Sequence, residues 1–211
     1  MTRFKICGLT RRGDVEAAAA SGASLLGFIH VPGTPRHLEV PAIAELTRVA
    51  SPWLLTIGVI ADRDPEEAVR LLEATGLDGL QLHGAESLED VACLRERLPR
   101  HRLIKAARVE SRSDVETLAT FAPVVDALLI DSARKGRPFD WGLLDGVRFG
   151  CPLILAGGLT ADNVGAAIDR VSPAMVDVSS GVERSPGVKD HDLLMAFARA
   201  VAGAGASVRA G

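Results

Sequence analysis

The sequence lacks the features that would take it outside the ordinary globular proteins. It has three cysteines in 211 residues, an odd number with no Cys-x-x-Cys spacing. Neither a disulfide framework nor a zinc knuckle is indicated, and free thiols are expected. No run of about eighteen apolar residues occurs, and Met1-Thr2-Arg3-Phe4-Lys5 leads directly into a strand-like run. A membrane span and a signal peptide are therefore not expected, and a soluble, cytoplasmic protein is. A formal net charge of -3 gives no reason to expect nucleic acid or an acidic membrane as partner. No His, Asp and Glu cluster has the spacing of a metal site, which speaks against a metal-dependent sugar-phosphate epimerase.

What the chain does have is periodicity. Short Ile-, Val- and Leu-rich runs occur at 4–7, 25–29, 54–60, 79–82, 103–106, 127–130, 152–156 and 174–178. They do not alternate strictly in polarity, which is how strands buried on both faces of a parallel sheet read. Helical patterns fall between them at 14–21, 41–50, 65–75, 87–98, 113–120, 161–170 and 191–201, with a shorter one at 141–147. Pro41 and Pro65 suit first helical positions, Ser87 a cap, and Gly22 a C-terminal stop. Eight strands alternating with eight helices predict a single (β/α)8 TIM-barrel domain over 1–211, with a frayed Gly/Ala-rich tail at 202–211. A doubly wound open sheet is the alternative, but it would hold fewer strands at this length. It would also carry a Gly-x-Gly-x-x-Gly fingerprint after the first strand, which is missing.

A barrel of this kind builds its site at the C-terminal ends of its strands. Those ends read Cys7-Gly8, His30, Gln81-Leu82-His83-Gly84, Asp131-Ser132, Gly157-Gly158 and Asp177-Val178-Ser179-Ser180-Gly181. Gly157 and Gly158, with Ser179, Ser180 and Gly181 on the next strand, suit a phosphate held by backbone N–H groups and hydroxyls. Turn glycines and a polar loop are the bland alternative for each taken singly. Cys93 lies in a helical pattern and is expected to be a small buried residue, and Cys151 precedes Pro152 at the entrance to a strand.

Several stretches resemble the phosphoribosylanthranilate isomerases of tryptophan biosynthesis. They are Lys-Ile-Cys-Gly-Leu-Thr (5–10), Gly-Phe-Ile (27–29) followed by Arg36, Gln-Leu-His-Gly (81–84) and Phe-Asp-Trp (139–141). Ala-Gly-Gly-Leu (156–159) with Asn163, and Val-Asp-Val-Ser-Ser-Gly-Val-Glu (176–183) with Pro186-Gly187 and Lys189-Asp190, complete the set. The match runs the length of the chain in order, and the first and last motifs are highly specific. It implies an Amadori rearrangement of N-(5-phosphoribosyl)anthranilate to 1-(2-carboxyphenylamino)-1-deoxyribulose 5-phosphate without metal or cofactor. It further implies Cys7 as general base, Asp131 as general acid, Arg36 on the anthranilate carboxylate and the two glycine-rich loops on the phosphate. The chemistry of the residue types agrees. A carboxyl group at a strand end can protonate a furanose oxygen, and a thiol can take the C2 proton if nearby positive charge, from Lys5 or Arg36, makes the thiolate accessible. Gln81, His83 and Asp177 are candidate substrate contacts. A hydrogen bond to a neighbouring loop is the equal alternative for His83. No role is assigned to His30, His37 or Glu183.

The chain departs from the family between Asp131 and Phe139, where a longer glycine-rich stretch is replaced by Ser-Ala-Arg-Lys-Gly-Arg-Pro. That loop follows the expected acid, so its shortening leaves a different phosphoribosyl-amine substrate, or a silent sugar-phosphate-binding barrel, as alternatives. The expected partner is a small phosphorylated sugar, and the expected assembly a monomer or homodimer.

Overall fold

The computed structural model describes residues 2–132 and 140–207. Eight strands pair in parallel, each with the next: β1 (Arg3–Ile6), β2 (Leu25–Ile29), β3 (Leu55–Ile60), β4 (Gly79–Leu82), β5 (Arg102–Val109), β6 (Ala127–Ser132), β7 (Leu153–Leu155) and β8 (Met175–Val178). β8 returns to pair with β1, with Lys5 opposite Asp177, and closes the barrel. The α-helices are α1 (Arg12–Ala20), α2 (Val40–Val49), α3 (Pro65–Thr75), α4 (Leu88–Arg97), α5 (Arg112–Ala119), α6 (Val164–Val171) and α7 (His191–Ser207). None of the described helices is long and apolar enough to cross a membrane.

Period-two alternation sorts each strand into two apolar layers. Ile6, Leu26, Phe28, Leu128, Ile130 and Val176 face outward to the helices. Leu25, Ile57, Ile104, Leu129, Ile154 and Met175 fill the interior. That is why the strands read as continuous apolar runs: both faces are covered. Following the inward parity upward changes the chemistry. Leu25 lies opposite Lys5, and Leu129 is followed two residues on by Asp131. Met175 is likewise followed by Asp177, so the interior is apolar at its base and polar at its mouth.

Caps account for the helix boundaries. The α3 helix starts on Pro65, with the Asp64 carboxylate accepting from Glu66 N at 2.7 Å, and ends on Gly76 at φ +68. Ser87 and Asp90 form a reciprocal capping box at α4. A second box, Ser111 with Asp114, starts α5 earlier than the expected residue 113. Expectation and structure part in three other places. Among the described residues the stretch 141–147 is only a 3-10 turn over Trp141–Leu144, so seven α-helices rather than eight surround the barrel. Gly142 and Gly146, the latter at φ +71, explain why no longer helix forms there. Residues 161–163 are a turn, because Asn163 is used to accept from Thr160 N at 2.8 Å and donate to the Gly158 carbonyl at 2.9 Å. The last helix, expected over 191–201, runs on to Ser207, and its fully buried Phe197 meets the ring of Phe4 edge-on at 6.1 Å; the rest of the expected tail, 208–211, lies outside the described residues.

One element was not foreseen. After β8 the chain forms an antiparallel hairpin, β9 (Glu183–Ser185) and β10 (Val188–Lys189), turning at Pro186-Gly187 with Gly187 at φ +80. The Pro-Gly pair is the sequence signal for it.

Candidate active site

The first polar layer of the mouth stands on a buried ion pair. Lys5 is wholly inaccessible, and its Nζ donates to both oxygens of Asp177 at 3.2 and 3.1 Å. Barrel closure makes this possible by setting β8 beside β1. Cys7, also buried, is the next inward residue above Lys5. Gly27 on β2 leaves room for it, since a Cβ there would lie 2.9 Å from Cys7 Sγ. Burial pushes the Cys7 thiol above its ordinary value, and the opposing Lys5 charge does not overturn this. Lys5 favours the thiolate, but burial weighs more. Lys5 is matched by Asp177, and Arg36 by Glu183. Although burial works against it, the carboxylate of Asp177, with help from Cys7, holds Lys5 charged with its pKa raised.

Across the mouth, His83 Nε2 lies 3.9 Å from Asp131 Oδ2, and Gln81 Nε2 lies 3.5 Å from His83 Nδ1. Burial, then the charges of Arg108 and Lys5, hold His83 below its ordinary value, so the ring is neutral near pH 7 and its approach to Asp131 is no ion pair. Arg108 escaped the sequence reading because β5 runs to Val109, past the expected end at 106. In the sheet register it lies opposite Asp131. Asp131 is half-buried at the end of β6. Of the shortened loop that prompted the alternatives above, 132–138, all but Ser132 lies outside the described residues, as does Phe139.

Four buried side-chain polar atoms have no hydrogen-bond partner among the described residues: Gln81 Oε1, His83 Nε2, Ser179 Oγ and His37 Nδ1. Each such atom costs about 1–3 kcal/mol if nothing meets it. Three of the four belong to the ends of β4 and β8, which marks the mouth as the place where a polar ligand fits.

The loops after β7 and β8 are built around glycine. Gly157 and Gly158 adopt φ +89 and +65, and the Cβ position of Gly158 opens on free space. A Cβ on Gly181 would collide with the Leu159 carbonyl oxygen, so the two loops meet backbone to backbone. Ser180 is half-buried and begins the short 3-10 turn Ser180–Val182.

Arg36 and Glu183 form the second charged group. Arg36 Nε and Nη2 donate to the two Glu183 oxygens at 2.8 and 2.5 Å. Fully buried Lys189 also donates to Glu183, at 2.9 Å, and to the carbonyls of Cys7 at 2.6 Å and Ser179 at 3.1 Å. Against the cost of burial, Arg36 and Lys189 hold Glu183 below the usual carboxylate range. Burial lowers Lys189 itself, with Glu183 opposing. Sequence reading left Glu183 without a role and quoted Lys189 only within a motif. A lysine in the short β-strand after a Pro-Gly turn carries no local sign of burial.

His30, His37 and Glu39 gather despite their unpromising spacing, with potential ligand atoms within 4.8 Å of one another. The rings stack at 5.2 Å, His30 Nδ1 donates to the Leu38 carbonyl, and Glu39 is exposed. They are a loop contact beside α2 rather than part of the mouth. Cys93 is half-buried rather than buried, and Cys151 half-buried at the entrance to β7.

Fold and mouth together define a (β/α)8-barrel enzyme. The family model for N-(5'phosphoribosyl)anthranilate (PRA) isomerase matches residues 4–200. The N-(5'-phosphoribosyl)anthranilate isomerase of Thermosynechococcus vestitus is 43% identical over 192 residues, 88% of this chain and 84% of that protein. A solved phosphoribosyl anthranilate isomerase in complex with reduced 1-(o-carboxyphenylamino)-1-deoxyribulose 5-phosphate superposes with a TM-score of 0.88 at 34% identity, covering 96% of this chain and all of that one. Monomers generated from the dimeric Thermotoga maritima enzyme match with the same score, identity and coverage. The chain belongs to the N-(5'-phosphoribosyl)anthranilate isomerase family and is an isomerase.

Proposed function

We propose that the mouth performs the Amadori rearrangement of N-(5'-phosphoribosyl)anthranilate with Asp131 as general acid and Cys7 as general base. Asp131 gives its proton to the furanose oxygen as the C1–O bond breaks, and the anthranilate nitrogen lone pair forms the C1=N iminium. The iminium acidifies the C2 hydrogen, which the Cys7 thiolate removes. The electron pair forms the C1–C2 double bond, and the enolamine then ketonises. The observation that carries this reading is the placement of a buried thiol at the end of β1, inward-facing, above a neutralised Lys5–Asp177 pair. The positive charge of the iminium favours the thiolate, and the thiol releases its proton to solvent before it takes the C2 hydrogen.

Arg36 takes the anthranilate carboxylate, and a guanidinium fork suits a planar carboxylate. Gly157, Gly158, Ser179, Ser180 and Gly181 take the phosphate, with the unpartnered Ser179 hydroxyl as donor. Gln81 and His83 contact the substrate. The neutral ring accepts from Gln81 at Nδ1 and so carries its proton on Nε2, toward Asp131. Asp177 fixes Lys5 beneath the base. Free thiols at Cys7, Cys93 and Cys151 suit a reducing cytoplasm. A dimer like that of the Thermotoga relative is one of two expected assemblies, and sedimentation separates it from a monomer.

The test is turnover of phosphoribosylanthranilate generated in situ, followed by loss of its fluorescence. Cys7→Ser and Asp131→Asn each lower kcat by about 10²-fold or more, and Arg36→Ala mainly raises KM. Absence of turnover by the wild type overturns the activity, and an unchanged kcat in Cys7→Ser overturns the base.

A further inference from the structure

A guanidinium has two edges on which a carboxylate can sit with two hydrogen bonds: the side, Nε with Nη2, and the end, Nη1 with Nη2. In this protein the side edge of Arg36 is occupied by Glu183. The stem of Arg36 is equally constrained, because it lies over Gly8, where a Cβ would meet its Cδ at 2.5 Å. Stem and side edge together leave the end edge one direction in which to point.

The partner is no casual surface acid. The Glu183 side chain is 3% exposed, and its Oε1 also accepts from Lys189 Nζ and Gly187 N. Lys189 in turn holds the backbone of Cys7 and of Ser179. Two cations against one carboxylate leave the group one net positive charge, directed to whatever meets the free edge of Arg36. A latch that opens for substrate is the competing arrangement. It would strip a buried carboxylate of one of its two cations, which is strongly unfavourable.

We infer that Glu183 is the positioning residue for substrate carboxylate recognition. It clamps the side edge of Arg36 so that the end edge receives the carboxylate, while Lys189 ties the clamp to the backbone beside Cys7 and the phosphate loop. This rests on the reading of Arg36 as the carboxylate's partner, and the test keeps the two separable. Affinity is measured by calorimetry for two reduced product analogues, the o-carboxyphenylamino compound and its phenylamino counterpart without the carboxylate. The readout is the ratio of the two dissociation constants, which does not depend on the fraction of active protein.

Wild type prefers the carboxylate compound. Glu183→Gln lowers that preference by about tenfold and leaves the phenylamino compound's affinity little changed, which a merely structural defect would not do. Glu183→Asp keeps the charge beside Lys189 but is too short to reach both Arg36 nitrogens; it loses the preference as well, and it carries the test if Glu183→Gln does not fold. An unchanged ratio in the Glu183 variants, with the preference abolished in Arg36→Ala, overturns the clamp alone. A ratio that rises makes Glu183 a competitor for Arg36 and overturns it too. An unchanged ratio in Arg36→Ala overturns the reading of Arg36 beneath it.

Discussion

Substituting Gly27 with alanine tests the placement of Cys7 without touching a polar group. Gly27 has no positive φ, so alanine brings no backbone strain, only a methyl group. That Cβ would lie 2.9 Å from Cys7 Sγ, 3.1 Å from Cys7 Cα and 3.1 Å from Lys5 Cε. Carbon contacts settle near 3.5–4.0 Å, so relief requires a displacement of about 0.5–1 Å. Two of the three atoms belong to Cys7 and one is backbone of the barrel wall, while Lys5 is held by Asp177. The thiol must therefore move. A misplacement of about 1 Å costs about 10²-fold in rate, and overpacking of this kind costs about 1–3 kcal/mol of stability. Gly27→Ala is expected to lower kcat by about 10- to 100-fold with KM little changed. Its melting temperature should fall by about 2–4 °C per kcal/mol lost. The assays are the fluorescence decay of phosphoribosylanthranilate and thermal unfolding by circular dichroism. Gly58→Ala is the control, because its Cβ meets the movable Leu77 Cδ1 on the outer face at 2.7 Å; stability falls and kcat does not. Wild-type kcat in Gly27→Ala would refute the assignment of Cys7 as the base.

The raised Cys7 pKa predicts a pH profile. A thiol held above its ordinary value of 9.0 is protonated below that pH, so alkylation at Cys7 by iodoacetamide, read by peptide mass, is slow near pH 7 and still accelerates beyond pH 9. An alkylation rate flat from pH 7 to about 10 contradicts this sign. Phe197→Ala removes a fully buried ring from the contact between α7 and β1. It should cost about 3–5 kcal/mol in urea unfolding while leaving the kcat of the folded fraction unchanged. A loss under about 1 kcal/mol would mean that α7 does not pack on β1 as described.

Much of the fold was legible because it is written locally. The strand expected at 79–82 and the helix expected at 65–75 match β4 and α3 to the residue, since apolar runs, Pro65 and Gly76 act on their own neighbourhood. Errors fell where a local pattern met a non-local demand. Asn163 looked helical but is bonded across to Gly158, and β5 extends to Val109 because β6 offers a partner that far up. Strand ends identified the residues of the mouth, but not their pairing.

The sequence by itself determined the parallel barrel, the apolar strands and the polar ends on which Cys7, Gln81, His83, Asp131 and Asp177 stand. Period-two burial and helix caps are properties of short stretches, readable along the chain. Only the tertiary structure decided which charge answers which. Lys5 meets Asp177 across 172 positions, Arg36 meets Glu183 across 147, and Lys189 reaches the Cys7 carbonyl across 182. Each of these contacts forms where closure of the barrel brings β8 and the hairpin after it against the N-terminal strands. A buried charge takes the partner that closure puts within reach, and nothing in its own segment names that partner.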